Sequence, residues 1–275
     1  MPARNVDPAV VESFGREWQK FDQQGLAEPE LRRIFEDYFE IFPWDSLPAD
    51  AVGFDLGCGT GRWARYVAGR VRELHCIDPS AALEVARRNL AEFPNCRFHC
   101  ASVDDMPLAE GSMDFGYSLG VLHHVPDTQA GIKDCVRKLK PGAPFLLYLY
   151  YAFDNRPAWY RAVWRVSNIV RRAVSRSPAP IAEAVAAAIA GIVYWPLARF
   201  SRMLERSGRR VDHIPLSAYR DRSFYVMRND ALDRFGTRLE KRFTRDEIER
   251  MMRAAGLERI RFSDKVFWCA VGYKQ

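Results

Sequence analysis

Residues 52–61, Val52-Gly53-Phe54-Asp55-Leu56-Gly57-Cys58-Gly59-Thr60-Gly61, join an apolar run, an acid and three alternating glycines. Glycines at 57, 59 and 61 allow a sharp turn and let the main chain approach a ligand with no Cβ in the way. Asp55 sits near the end of the apolar run, where open α/β sheets place ligands. Asp78, seventeen residues after Gly61, ends a second apolar run, Glu73–Ile77. A carboxylate there can accept hydrogen bonds from both hydroxyls of a ribose. Polar groups also follow the later apolar runs: Ser102-Val103-Asp104-Asp105, then Ser118-Leu119-Gly120 before His123 and His124, then Tyr150, Tyr151 and Asp154. A histidine is a base near neutral pH, so His123 could take a proton from a hydroxyl acceptor. A structural hydrogen bond within its loop accounts for it equally well.

Positioning these groups at one edge requires a sheet. Strands are expected at about 52–56, 73–77, 96–101, 113–119 and 143–150, with helices near 62–69, 80–92 and 128–138 between them. Strand–helix alternation implies a mostly parallel sheet with right-handed crossovers. Before it, residues 8–21 and 28–42 read as amphipathic helices, ended by Pro43 and Pro48. After Leu239, Thr244 with Glu247 three residues on predicts a capping box. Gly256 stops that helix, and strands follow at 257–263 and 266–273.

The DLGCGTG run with Asp78 resembles the class I S-adenosylmethionine-dependent methyltransferases over roughly residues 50–150. The resemblance implies an α/β, Rossmann-like fold: a seven-stranded mixed sheet of order 3-2-1-4-5-7-6, helices on both faces and a helical insertion or lid. It divides the chain into an N-terminal helical cap (1–49), a cofactor-binding core (50–151 and 231–275) and a basic helical insertion (152–230). It implies S-adenosyl-L-methionine as cofactor. Asp55, Gly57, Cys58, Gly59 and Gly61 would face its amino-acid part, and Asp78, Pro79 and Ser80 its ribose. Ser102, Val103 and Asp104, with Asp105 close behind, would meet the adenine, and Leu119 and Gly120 the sulfonium side. His123 would be the base. SLGV stands where the base- and amide-modifying members of the family carry Asn-Pro-Pro-Tyr, which disfavours those activities. Tyr150, Tyr151 and Asp154 would reach the substrate, unless the tyrosines pack under the insertion. Phe14-Gly15-Arg16-Glu17-Trp18 looks like the opening of methyltransferases from sugar and surface-polysaccharide pathways. That likeness puts Trp18 at the substrate, although core packing explains it as well.

The insertion has its own character. Between Arg156 and Arg210 stand eleven arginines, no lysine, and only Glu183 and Glu205. That balance of +9 exceeds the +6 of the whole chain, so the remainder is net negative. Guanidinium groups bind phosphate and carboxylate bidentately. The main expectation is therefore methyl transfer to O or N of a small anionic or glycosylated metabolite. The alternative is a membrane-surface methyltransferase of a lipid-like or quinone substrate, with 156–210 as a peripheral membrane contact. Ile181–Ala198 is apolar and Ala-rich and is expected as a buried lid helix, with a membrane-surface helix as the alternative. Nucleic-acid binding is disfavoured, because no RNA- or DNA-binding module is recognisable. Six cysteines without C-x-x-C spacing read as reduced thiols, and no metal is expected. Met1–Asn5 holds no apolar signal run, so a cytoplasmic protein is expected, with membrane association as the alternative.

Overall fold

The computed structural model describes residues 4–21, 27–154, 156–265 and 268–275. The chain divides into two compact units. The first holds residues 1–23, 31–152 and 239–275, the second residues 24–30 and 153–238. The core therefore resumes at Leu239, eight residues beyond the expected boundary, because the helix Phe224–Gly236 packs its Met227, Ala231 and Phe235 with the second unit.

In the first unit seven strands form one sheet: β1 Val52–Leu56, β2 Glu73–Ile77, β3 Cys96–His99, β4 Phe115–Leu119, β5 Pro144–Tyr148, β6 Leu257–Phe262 and β7 Ala270–Lys274. Their order is β3-β2-β1-β4-β5-β7-β6, as the resemblance implied. The pairs from β3 through β5 are parallel, and β7 runs antiparallel to both β5 and β6. Central strands covered on both faces must be apolar throughout, and every residue of β4 and β5 is buried. Leu56 pairs with Ile77, Ile77 with His99, and Leu119 with Tyr148. The carboxyl ends of the five parallel strands therefore share one edge. Strand order reverses between β1 and β4, which opens the ligand-binding crevice of such sheets at Asp55.

The helices of this unit are α1 Pro8–Lys20, α2 Glu28–Phe39, α3 Ala64–Ala68, α4 Ala82–Asn89 and α5 Thr128–Lys138; a further one, Arg245–Ala254, follows the second unit. Residues 28–30 of α2 group with the second unit. From Leu31 onward α2 lays aromatic rings on the sheet: Phe39 meets Tyr117 edge-on at 5.2 Å, and Tyr38 meets Tyr148 at 5.1 Å. Thr244 and Glu247 form the expected capping box. The start of the expected strand 266–273 lies outside the described residues.

The second unit is helical: α6 Ala158–Val174, α7 Ala179–Ile189, α8 Trp195–Arg206 and α9 Phe224–Gly236, which makes Arg245–Ala254 α10. A π-helical turn, Ala190–Tyr194, joins α7 to α8 without a break. Pro196 supplies the reason, since proline has no N–H and its ring clashes with the carbonyl four residues back. The wider turn relieves that clash, and the Trp195 N–H bonds to the Ala190 carbonyl instead. Ala182, Ala186, Ala190, Tyr194 and Ala198 pack with Met227, Ala231 and Phe235 as the core of this unit. The expectation of a buried helix over Ile181–Ala198 needs correction. Only this small-residue stripe is covered, while Ile181, Ile192, Val193 and Trp195 are exposed.

Candidate active site

Gly57, Gly59 and Gly61 all adopt left-handed backbone, with φ of 76°, 53° and 76°. At Gly57 a Cβ would lie 2.3 Å from Val121, so the turn closes tightly on the segment after β4. The Gly57 and Cys58 N–H groups both donate to the Ile77 carbonyl, at 2.7 and 3.1 Å. Asp78 completes the attachment. Its Oδ2 accepts from the Gly59 N–H at 3.0 Å, and its Oδ1 accepts from the Ser80 N–H at 2.8 Å and the Ser80 hydroxyl at 2.6 Å. Burial raises the Asp78 carboxyl, and these three bonds oppose the rise. Asp78 is thus a fastener of the glycine turn as well as a candidate ribose acceptor. Pro79 is half-buried beside it.

Asp55 is buried in β1, and its Oδ2 has no hydrogen-bond partner in the protein. Burial lifts its carboxyl to about 8, Asp78 adds to the rise, and Tyr117 and Arg62 oppose it. A buried carboxyl oxygen without a partner is costly unless a ligand supplies one. At the end of β4, Gly120 has φ 78°, and a Cβ built there meets nothing within 4 Å.

Beyond β3, Ser102 donates to Asp104 Oδ1 at 2.6 Å, and the Asn5 N–H donates to Asp104 Oδ2 at 3.1 Å. Partial burial works against the charge, but these bonds and Arg4 hold Asp104 below the ordinary carboxylate range. Asn5 also exchanges two 2.8 Å bonds with the Asp127 backbone. The extreme N-terminal segment therefore ties the Asp104 loop to the start of α5. No periodicity marked Arg4 or Asn5, because their partners lie about a hundred residues away. Asp105 is exposed, with Arg4 as its ion-pair partner.

His123 is fully buried, and neither ring nitrogen has a hydrogen-bond partner. Burial, then His124 and Arg242, push its pKa well below the ordinary value, so it is neutral at pH 7. Its ring stacks on Tyr150 at 3.8 Å and touches His124 at 4.0 Å. His124 is anchored to the Leu239 carbonyl at 2.6 Å. Arg242, paired with buried Glu240 at 2.9 Å, lies over the other neighbour, Tyr150. Sequence reasoning missed Glu240 and Arg242, because the charged run 240–242 looks like a solvated approach to α10.

The remaining sequence candidates separate. Trp18 lies over the glycine turn, 3.6 Å from where a Gly59 Cβ would stand, with Arg62 stacked on it. Tyr150 contacts His123, whereas Tyr151 packs on Trp268 at 5.4 Å. Asp154 is exposed and belongs to the second unit.

Residues 54–147 match the family model described as a methyltransferase domain. This chain belongs to the class I S-adenosylmethionine-dependent methyltransferase family. Within that family it is 32% identical over 164 residues to the ubiquinone biosynthesis O-methyltransferase of Thiobacillus denitrificans. It is 29% identical over 161 residues to the enzyme of that name from Hahella chejuensis. Each match covers 56% of this chain and just under two thirds of the relative, 66% and 65%. A methyltransferase structure from Thermotoga maritima shares the fold, with a TM-score of 0.51, 14% identity, and coverage of 95% of this chain and 100% of that one. S-adenosylmethionine is the cofactor of this methyltransferase domain. The residues present suit it: an orphaned Asp55 oxygen, open space at Gly120, and Asp78 oxygens with lone pairs to spare.

Proposed function

We propose that this methyltransferase methylates a hydroxyl oxygen of a lipid-like or quinone-type small molecule met at a membrane surface. The observation that carries methyl transfer is the edge where β1, β2 and β4 end, with its left-handed glycine turn, orphaned Asp55 and buried His123. The choice of acceptor rests on the ubiquinone-pathway relatives. It also rests on the apolar residues that the second unit leaves exposed. These favour a lipid-like acceptor over the anionic or glycosylated metabolite that the arginines first suggested.

In this reading Asp78 binds the two ribose hydroxyls, Asp104 the adenine amino group, and Asp55 with the glycine turn the amino-acid end. S-adenosylmethionine, when bound, supplies an already activated methyl group. Alignment then carries much of the barrier reduction. His123 is neutral and has a free nitrogen, so it can accept the hydroxyl proton. Tyr150 and His124, both packed against it, fix its ring.

In the second unit, α6 turns Trp159, Val163, Val166 and Val170 outward along one stripe, with Arg161, Arg165 and Arg172 on another side of the helix. An apolar stripe on a helix that carries arginines on its other side suits a bilayer interface. The helix Ala179–Arg206 is long and apolar enough to cross a membrane, with a mean hydropathy of 1.7 over its most apolar window. Its arginines and its alanine stripe packed on α9 favour surface contact over crossing.

The test supplies radiolabelled cofactor with a hydroxylated aromatic acceptor, with and without an apolar tail, in buffer or on anionic vesicles. Faster methylation of the tailed acceptor on vesicles is expected. Equal rates for tailed and tail-less acceptors would overturn the lipid-like reading, and transfer to no hydroxyl would overturn the O-methyl assignment.

A further inference from the structure

We propose that the second unit carries a binding site for a phosphate group, distinct in residues and purpose from the methyl-transfer site. A cavity of about 520 Å³, lined by Arg171, Arg172, Ser175, Arg176 and Arg238, lies at the C-terminal end of α6. Four guanidinium groups and a serine meet there without an acid in the lining. Elsewhere in this unit arginines find carboxylates: Arg220 bonds Glu205 at 2.7 Å, and Arg202 lies 3.4 Å from Asp221. Among the described residues no ion pair is found for Arg172, Arg176 or Arg238.

The site is built rather than incidental. Arg171 is only 6% exposed. It donates to Asn168 Oδ1 at 2.7 Å and to the Thr237 carbonyl at 2.8 Å, fixing the end of α6 to the segment after α9. Arg238 returns the attachment, its Nε donating to the Ser175 carbonyl at 3.3 Å. Arg176 Nη1 donates to the Arg172 carbonyl at 3.1 Å. Each guanidinium has five N–H donors, and these bonds engage one on Arg176 and one on Arg238.

Cations in a last helical turn are favoured by the helix dipole. That accounts for Arg171 and Arg172 but not for Arg238, which arrives from a separate segment of the chain. Planar guanidinium forks match phosphate oxygens bidentately. A tetrahedral phosphate can serve several forks at once, whereas a carboxylate has two oxygens to share. The phosphate can belong to a lipid headgroup or to a soluble phosphorylated compound.

The experiment uses the full chain. Binding of inorganic pyrophosphate is measured by calorimetry, and binding to phosphatidylglycerol–phosphatidylcholine vesicles by flotation, with pure phosphatidylcholine as blank. R172A/R176A alters two exposed arginines of the cavity. R209A/R210A removes the same charge from exposed residues of the second unit outside it. Pyrophosphate affinity is expected to fall about tenfold or more in R172A/R176A and to hold in R209A/R210A. If vesicle binding falls in the same selective way, the phosphate is a lipid headgroup. If only pyrophosphate binding does, it is a soluble compound. Equal weakening by both double variants overturns the proposal, as does the lack of any dependence on Arg172 and Arg176 in both assays. Affinity for S-adenosylmethionine, measured on the same samples, tests the methyltransferase reading separately.

Discussion

Phe54, Phe115, Tyr117 and Phe145 of the sheet unit are fully buried, whereas Trp159, Val163, Val166, Ile192 and Trp195 of the helical unit are 40–75% exposed. All the large exposed apolar side chains among the described residues fall between Trp159 and Phe224. Composition does not explain the contrast, since both units are rich in apolar residues. The sheet unit closes its core with rings from β1, β4 and β5 and the helices around them. The helical unit packs through alanines, which let α7 and α9 approach closely and leave the bulky residues outside. An exposed apolar stripe such as that of α6 marks an interaction site. One unit is thus organised around buried polar chemistry, the other around what it presents to its surroundings.

Separate damage to each unit would sharpen the comparison. The largest effect is expected from Asp78→Ala. It removes the fastener of the glycine turn and the ribose acceptor together, at about 1.5–3 kcal/mol for each charge-assisted bond. Calorimetry should show cofactor affinity lower by a hundredfold or more, with vesicle binding unchanged. Retained affinity would remove Asp78 from the site.

His123→Ala should lower turnover about 10²–10⁴-fold and leave cofactor affinity nearly intact. Turnover unchanged with a hydroxyl acceptor would assign His123 a packing role alone. Because its pKa is depressed, the folded protein binds fewer protons there than the unfolded chain does below about pH 6.5. Stability from this residue should therefore be complete above that pH and decline as pH falls. Denaturant midpoints of the wild type and the variant should converge in acid.

The exposed stripe should respond to V163D/V166D with about tenfold or greater loss of vesicle binding. Stability should change little, since both side chains already face solvent. Vesicle binding equal to wild type would dissolve the contrast between the two units.

The smallest effect concerns a proton. With its carboxyl raised to about 8, Asp55 is mostly protonated at pH 7 in the free protein. An ammonium group held beside it favours the carboxylate, so cofactor binding at pH 7 should release up to about one proton. Calorimetry in buffers of different ionisation heat measures it. Heats independent of buffer would place the ammonium away from Asp55.

By itself the sequence determined the alternation of strands and helices, the glycine turn, the acids at the ends of β1 and β2 and the capping box of α10, while the strand order came from the family resemblance. These are local patterns: an apolar run, a turn that only glycine permits, a side chain three residues from its partner. Strand limits were less legible. β3 stops at His99 and β5 at Tyr148, where pairing ends although apolar residues continue. Only the tertiary structure decided the surroundings of each candidate. It placed Asp104 under Asn5, Trp18 over Gly59, and His123 in full burial against Tyr150 and His124. It also decided which side of the Ala-rich helix is covered. Periodicity shows which residues share a face, but burial depends on what packs against that face. Here the partner was α9, more than twenty residues farther along the chain, whose Met227 and Ala231 fit alanines and left Ile192 and Trp195 outside.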